Sequence, residues 1–254
     1  MIVQEVARLV AGIRELFMKN ERSFLIRGQM TTKEDGTLVG EADQQMRVIL
    51  TSGLKSLCDI MVVSEEGECQ TWPPTQGDFW VIDEFDGSNN HNMGLPLIGS
   101  MVTSVQDSAP FLSCIYSPYL PKRFYWASRD GSSGLHVKQD ITELHQATLL
   151  LEGSSRKLFR DERIRRLTQA VARSRIDLSM VWSITRIATG RAELLVCLEN
   201  KVTDNLHAIL FTQVAGGIVT DFEGNAPSLG NLGNLVCAAN LEIHAVALQV
   251  LRGV

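Results

Sequence analysis

Asp83 and Asp86 stand three residues apart at the end of an apolar run and are followed at once by Gly87 and Ser88, in the stretch FWVIDEFDGSNNHNMG at 79–94. The run at 79–82 reads as a buried strand. Carboxylates leaving its end at i and i+3 can turn back on one point, a geometry that suits a hard cation. Glycine lets the backbone approach a ligand closely, and amides beyond it cradle an anion where a helix begins. The stretch alone leaves a second reading open: an acidic turn whose aspartates are favoured by hydrogen bonds to their own backbone. Three further acids fall at the ends of expected elements, Asp43 and Asp204 at helix starts and Glu65 after a strand. Singly, helix-start acids read as caps. Together the set offers the oxygen ligands that magnesium takes, with water and a phosphate completing its shell. Two such ions would stabilise both the attacking water and the departing alkoxide of a phosphate ester.

Positioning these acids requires an ordered set of elements. Residues 2–17 carry Val6, Leu9, Ile13 and Phe17 on one helical stripe, and residues 41–57 carry Met46, Leu50 and Leu54 on another. Glu41 and Asp43 fall in the first turn of the second helix, where the dipole favours acids. The polar stretch 21–40 between them reads as a loop or weak hairpin. A strand is predicted at 60–63, and three more at 97–106, 111–117 and 123–128, spaced by prolines as an antiparallel meander; 131–134 reads as a turn. Beyond 145 helices and strands alternate: strands at 148–152, 193–198, 218–220 and 235–239, and helices at 161–173, 183–189, 205–215 and 241–251. Gly216-Gly217 offers a C-cap for the third of these helices. The first half is therefore α+β and the second α/β. The expected division is an N-terminal lobe at 1–145 carrying most of the acids and a C-terminal lobe at 146–254 carrying Asp204, packed as one body.

The 254 residues are 44% apolar and 21% charged, with a net charge of −5. This is the composition of a soluble globular protein, and its bulk electrostatics do not favour nucleic acid or an anionic membrane. Five scattered cysteines with no C-x-x-C pair argue against a disulfide framework or a zinc knuckle and suit a reducing cytoplasm. Neither a secretory signal nor an apolar run of membrane-spanning length is present.

In its segments and their order the chain resembles the inositol monophosphatase family of magnesium-dependent, lithium-sensitive phosphatases. VIDEFDGSNN at 81–90 is similar to the family's W-I-I-D-P-I-D-G-T-T-N, and VTDNLHAILFTQVAGGIVTDFEGN at 202–225 to its Trp-Asp, helix, E-A-G-G and V-x-D-x-x-G succession. VVSEEG at 62–67, GTLVGEAD at 36–43, LEGSSR at 151–156 and ATGRAE at 188–193 match further segments, as does the strand before Ala238-Ala239-Asn240. The resemblance implies a layered αβαβα sandwich, a homodimer, and phosphomonoester hydrolysis by metal-activated water with two to three Mg²⁺ ions per site. It implies Glu65, Asp83, Asp86 and Asp204 as metal ligands together with the carbonyl of Phe85. Ser88, standing where threonine is usual, would orient the water, with Asp43 pairing its hydroxyl and Glu65 taking part in catalysis. Amides of Gly87 and Ser88 would hold the phosphate, and Lys33 falls near a lysine of the family's active-site loop. None of the five histidines falls on a matching catalytic position.

The departures concern the substrate side. Glu84 replaces a proline and Thr203 the tryptophan before Asp204. The segment 178–181, Leu-Ser-Met-Val, lies where the family has Gly-Ser-Ala-Ala, so Leu178 and Met180 are expected to reshape the pocket around Ser179. The family's substrate-gripping glutamate aligns near Cys197, with Glu199 the nearest acid and Lys201 replacing a histidine or arginine. Trp182 suits a ring-binding position, a core or a dimer interface. Residues 156–175 carry eight Lys or Arg; they read as the solvated face of a helix or as a contact surface. The leading expectation is a cytoplasmic phosphatase of a small polyol or sugar phosphate. The alternatives are a fructose-1,6-bisphosphatase, a phosphoadenosine phosphate or NADP phosphatase, or a family member serving as a regulatory partner, for example of the transcription machinery.

Overall fold

The apolar run at 79–82 continues into an eight-residue strand, Phe79–Asp86, buried along its whole length. Cover on both faces is why its residues are continuously apolar rather than alternating. Phe79 and Val81 point into one core and Trp80 and Ile82 into another, as successive residues of a strand must.

The computed structural model describes residues 2–25, 30–32, 38–65, 67, 72–74 and 77–253; Lys33 lies outside them. The first half comprises α1 (Ile2–Lys19), β1 (Met30–Thr32), β2 (Leu38–Gly40), α2 (Glu41–Leu57), β3 (Met61–Ser64), β4 (Phe79–Asp86), α3 (Ser88–Asn92), β5 (Gly99–Gln106), β6 (Ala109–Tyr116), β7 (Phe124–Ser128) and β8 (Gly131–Ser132). The second comprises β9 (Thr148–Gly153), α4 (Ser155–Leu158), α5 (Glu162–Ala170), β10 (Arg173–Arg175), α6 (Met180–Ala188), β11 (Leu194–Leu198), α7 (Val202–Val214), β12 (Ile218–Thr220), β13 (Leu235–Ala238) and α8 (Leu241–Arg252).

Two sheets organise the molecule. One runs β3-β4-β5-β6-β7-β8, parallel between β3 and β4 and antiparallel beyond, which realises the predicted meander. The other runs β10-β9-β11-β13-β12, with β10, β9 and β11 parallel. Three cores stack the layers. Ile13 and Phe17 of α1 and Met46 and Leu50 of α2 cover one face of the first sheet. Met180 and Ile184 of α6 and Leu206 and Leu210 of α7 fill the space between the two sheets. Ile164 and Leu167 of α5 and Ile243 and Leu251 of α8 cover the outer face of the second sheet. The order helix, sheet, helix, sheet, helix is the αβαβα sandwich, with alternate residues of β11 dividing between the central core (Leu195, Cys197) and the outer one (Leu194, Val196).

Several boundaries differ from the sequence reading. The helix expected over 161–173 ends at Ala170, and residues 173–175 form a strand parallel to β9. An edge strand with exposed side chains needs no apolar pattern, so Arg-Ser-Arg gave no strand signal. The turn expected at 131–134 holds the two-residue β8. Helix α6 starts at Met180 and α7 at Val202, each three residues earlier than expected. Among the described residues no helix is long and apolar enough to cross a membrane, and Cys58, Cys114, Cys197 and Cys237 are free thiols.

Gly153 ends β9 at a φ of 132°, and a Cβ there would meet the backbone carbonyl of Leu198 on the paired strand. The expected effect of Gly153→Ala is a loss of about 1–3 kcal/mol in folding free energy, read from the midpoint of urea denaturation.

Candidate metal centre

The pairing of β4 with β5 slips between Asp83 and Asp86: Asp83 lies opposite Met101 and Asp86 opposite Gly99. Three residue steps on β4 are thus matched by two on β5, one residue too many. In a regular strand, residues i and i+3 point to opposite faces. The bulge restores one step, so Asp83 and Asp86 both face the layer that holds α6 and α7, while Phe85 turns into the opposite core. This is how two aspartates at an odd spacing come to serve one site.

Glu65 and Asp204 meet Asp83 there. The amide of Glu65 donates to the carbonyl of Ile82 at 3.0 Å, which extends the β3–β4 ladder by one residue and fixes where its side chain begins. Asp204 lies in the first turn of α7. One oxygen from each of Glu65, Asp83 and Asp204 lies within 4.8 Å of the others. Burial, followed by the negative charge of Glu65, pushes the carboxyls of Asp83 and Asp204 well above the ordinary range. An all-oxygen set of crowded acids fits Mg²⁺ or a similar hard cation, whose charge relieves that repulsion.

Asp86 lies beside this cluster with its carboxylate held by the start of α6. Oδ1 accepts from the amide of Met180 at 2.9 Å, and Oδ2 from the amide of Val181 at 3.0 Å and from the hydroxyl of Ser179. Burial pushes Asp86 up to about 6, and these three hydrogen bonds oppose the rise. Each oxygen keeps lone-pair capacity for a further partner.

Gly87 adopts a left-handed φ of 86°, and a Cβ there would meet the carbonyl of Leu97. Glycine is required for the chain to turn from β4 directly into α3. The hydroxyl of Ser88, first residue of α3, lies 2.9 Å from Asp43 Oδ1 and 3.2 Å from the carbonyl of Phe85. Asp43 uses its other oxygen to accept from the amide of Gly40 at 2.9 Å, capping α2. The expected pairing of Asp43 with Ser88 is present, and it joins two segments 45 residues apart.

The expected substrate residues are placed differently from one another. Ser179 is fully buried and turned onto Asp86. Met180 packs into the central core and is 2% exposed, so its bulk is spent there and not in a pocket. Leu178 has a φ of 52°, unusual for a residue with a branched side chain, and its carbonyl accepts from Asn90 Nδ2 at 3.0 Å. Glu199 is more than half exposed and pairs with Lys157 at 2.7 Å. Trp182 packs against the central core with the Arg186 guanidinium 5.3 Å from its ring centre. In the basic segment, Arg163 pairs with Asp161, Arg165 with Glu162, and Arg166 donates to the last carbonyls of α8.

Three further residues contribute to the site without standing among its expected ligands. Asn90 donates to the carbonyls of Leu97, Asp177 and Leu178, tying α3 to the approach of α6. Glu84 is buried and accepts from the hydroxyl of Ser64. The ammonium of Lys201 rests on Oε1 of Glu65; burial lowers its pKa, but Glu65, Asp204 and Asp83 outweigh that and raise it. Its place three residues before Asp204, one turn of the same helix start, was the available clue. His207 is buried on α7 with Nδ1 at 2.6 Å from Thr103 Oγ1, and burial pushes it down to about 3, so it stays neutral.

The model of one protein family, described as the inositol monophosphatase family, matches residues 3–253. A histidinol-phosphatase of Mycobacterium tuberculosis is 28% identical over 238 residues, covering 88% of each chain. A fructose-1,6-bisphosphatase/inositol-1-monophosphatase of Thermotoga maritima is 27% identical over 192 residues, covering 74% of this chain and 72% of its own. Among solved structures, an IMPase/NADP phosphatase complexed with Mg²⁺ and phosphate superimposes with a TM-score of 0.82 at 18% identity, over 98% of this chain and 96% of its own.

Beneath Asp86, a further buried acid completes the electrostatics of the centre. Glu152 on β9 accepts from Ser183 Oγ at 2.5 Å, and burial pushes it up to about 8 despite that bond. The folded protein thus keeps this proton up to about pH 8, whereas the unfolded chain releases it near 4.5. Stability must therefore fall as pH rises through this window. Thermal melts of chelator-treated protein across the window should show a shallower decline for Glu152→Gln than for wild type.

Proposed function

The chain belongs to the inositol monophosphatase family, and from this we propose that it is a Mg²⁺-dependent phosphomonoesterase acting on a small polyol or sugar phosphate. The observation that carries the reading is the convergence of Glu65, Asp83 and Asp204, from three separate segments, within 4.8 Å. These three would hold the metal, with Asp86 and the carbonyl of Phe85 as further oxygen donors. Bound there, Mg²⁺ supplies positive charge that acidifies a water and stabilises the phosphoryl oxygens.

The protein's own groups do the rest. The hydroxyl of Ser88 gives its hydrogen to Asp43, which leaves its oxygen lone pairs to accept a hydrogen bond from the attacking water and fix its direction. Glu65, at the edge of the cluster, takes up the proton that the water loses; the ester's phosphorus–oxygen bond breaks, and the departing alkoxide takes a proton from solvent water. Amides at Gly87 and Ser88, where the chain enters α3, hold the phosphate oxygens. No histidine is needed: His207, the one on the metal-facing helix, is buried and held neutral. Catalysis in this scheme is positioning and electrostatics, without a covalent enzyme intermediate.

Inorganic phosphate release with Mg²⁺ should be assayed on inositol 1-phosphate, histidinol phosphate, fructose 1,6-bisphosphate and NADP. Asp83→Asn is expected to lower kcat on the preferred substrate by at least about 100-fold with an unchanged far-UV circular dichroism spectrum. A folded Asp83→Asn variant with wild-type turnover would remove Asp83 from the metal site.

A further inference from the structure

We propose that Lys201 is a tethered counter-ion of the metal centre, holding Glu65 in place and competing with a divalent cation for its oxygen. The inference rests on the metal-dependent reading above and assigns to this site an internal antagonist of metal binding.

Local structure does not account for the lysine. Lys201 is the N-cap of α7, and its side chain makes no capping bond. The first turn of a helix carries the positive end of the dipole, which disfavours an ammonium; serine, threonine, aspartate or asparagine would serve the cap better. Its contacts lie across the site instead. Nζ meets Oε1 of Glu65, 136 residues away in the chain, and Asp204 lies one helical turn from Lys201 on the same element.

The backbone that carries Lys201 is firmly placed. The amide of Glu199 donates to Asn234 Oδ1 at 2.8 Å, that of Asn200 to the carbonyl of Gly233 at 2.9 Å, and the Asn200 side chain to Asn205 Oδ1 at 3.1 Å. The ammonium reaches Glu65 through the four-carbon stem of the lysine. The side chain of Glu65 is 14% exposed, against 57% for Glu199 in the surface pair with Lys157. A pair with one largely buried partner is less screened by water and salt than a surface pair.

Three carboxylates, those of Glu65, Asp83 and Asp204, then act on one ammonium. Lysine cancels part of their repulsion, so the acids keep their positions before a metal arrives. It also places a positive charge where a dication must come, and like charges at such separations repel strongly in a partly buried site. The lysine therefore organises the site and weakens its metal affinity.

Calorimetric titration with Mg²⁺, and Mn²⁺ binding followed by electron paramagnetic resonance, on the full chain test this directly. Lys201→Met is expected to bind either ion about tenfold more tightly than wild type and to melt at a lower temperature in chelator. Lys201→Arg, which keeps the charge, should stay close to wild type in both. Equal or weaker binding by Lys201→Met would overturn the inference, and Lys201→Gln provides the same reading if the methionine variant does not fold. A wild-type protein that takes up neither ion would overturn the metal-dependent reading itself, whereas tight binding unaffected by residue 201 would overturn only the role of Lys201.

Discussion

Carboxylates buried within a few ångströms of one another repel, and each loses hydration it would have in water. Much of the architecture around the bulge of β4 makes that crowding tolerable. Three helix starts converge on it: α2 brings Asp43, α6 turns the amides of Met180 and Val181 onto Asp86, and α7 carries Asp204 in its first turn. The positive end of α6 thus meets Asp86, and that of α7 carries Asp204 itself. The bulge is what lets a strand feed two acids into that focus.

The central layer explains why the arrangement holds its shape. Helices α6 and α7 are packed between two sheets, and most of their residues are buried. A shift in such a layer disturbs the packing against both sheets. The loops that enter these helices carry backbone strain of the kind found at functional sites: Leu178 precedes α6 and Glu199 precedes α7, at φ of 52° and 45°. Asn90 compensates the first of these by donating to the carbonyls of Asp177 and Leu178, so the turn after β4 and the entry of α6 are held by one side chain.

The sequence made much of this legible because the core is patterned simply. The stripes of α1 and α2, the unbroken apolar run of β4 and the proline-spaced meander all follow the elementary periods of helix and strand. Asp83, Asp86, Glu65 and Asp204 stood out as acids at element ends, and their placement follows. The parts that escaped notice depend on contacts across the chain. Arg173–Arg175 forms a strand because β9 offers it an edge, and nothing in its composition says so. Met180 looked like a pocket residue because it replaces a small one, yet the helix phase carries it into the core. Glu199 pairs with Lys157, a partner more than forty residues away that its own segment does not announce. Local pattern reports which face a residue occupies; it does not report what waits on that face.

Asp43 serves two structures with its two oxygens, closing the first turn of α2 through Gly40 and receiving the hydroxyl of Ser88. A residue shared in this way is difficult for evolution to revise. A change that frees the hydroxyl of Ser88 from Asp43 also removes the acceptor that closes the first turn of a helix covering the first sheet. The loops before α6 and α7 carry duties toward the acids as well, since Ser179 donates to Asp86 and Lys201 pairs with Glu65. The room for change around the site therefore lies in exposed side chains such as Glu199, more than half open to solvent, and not in the backbone that carries them.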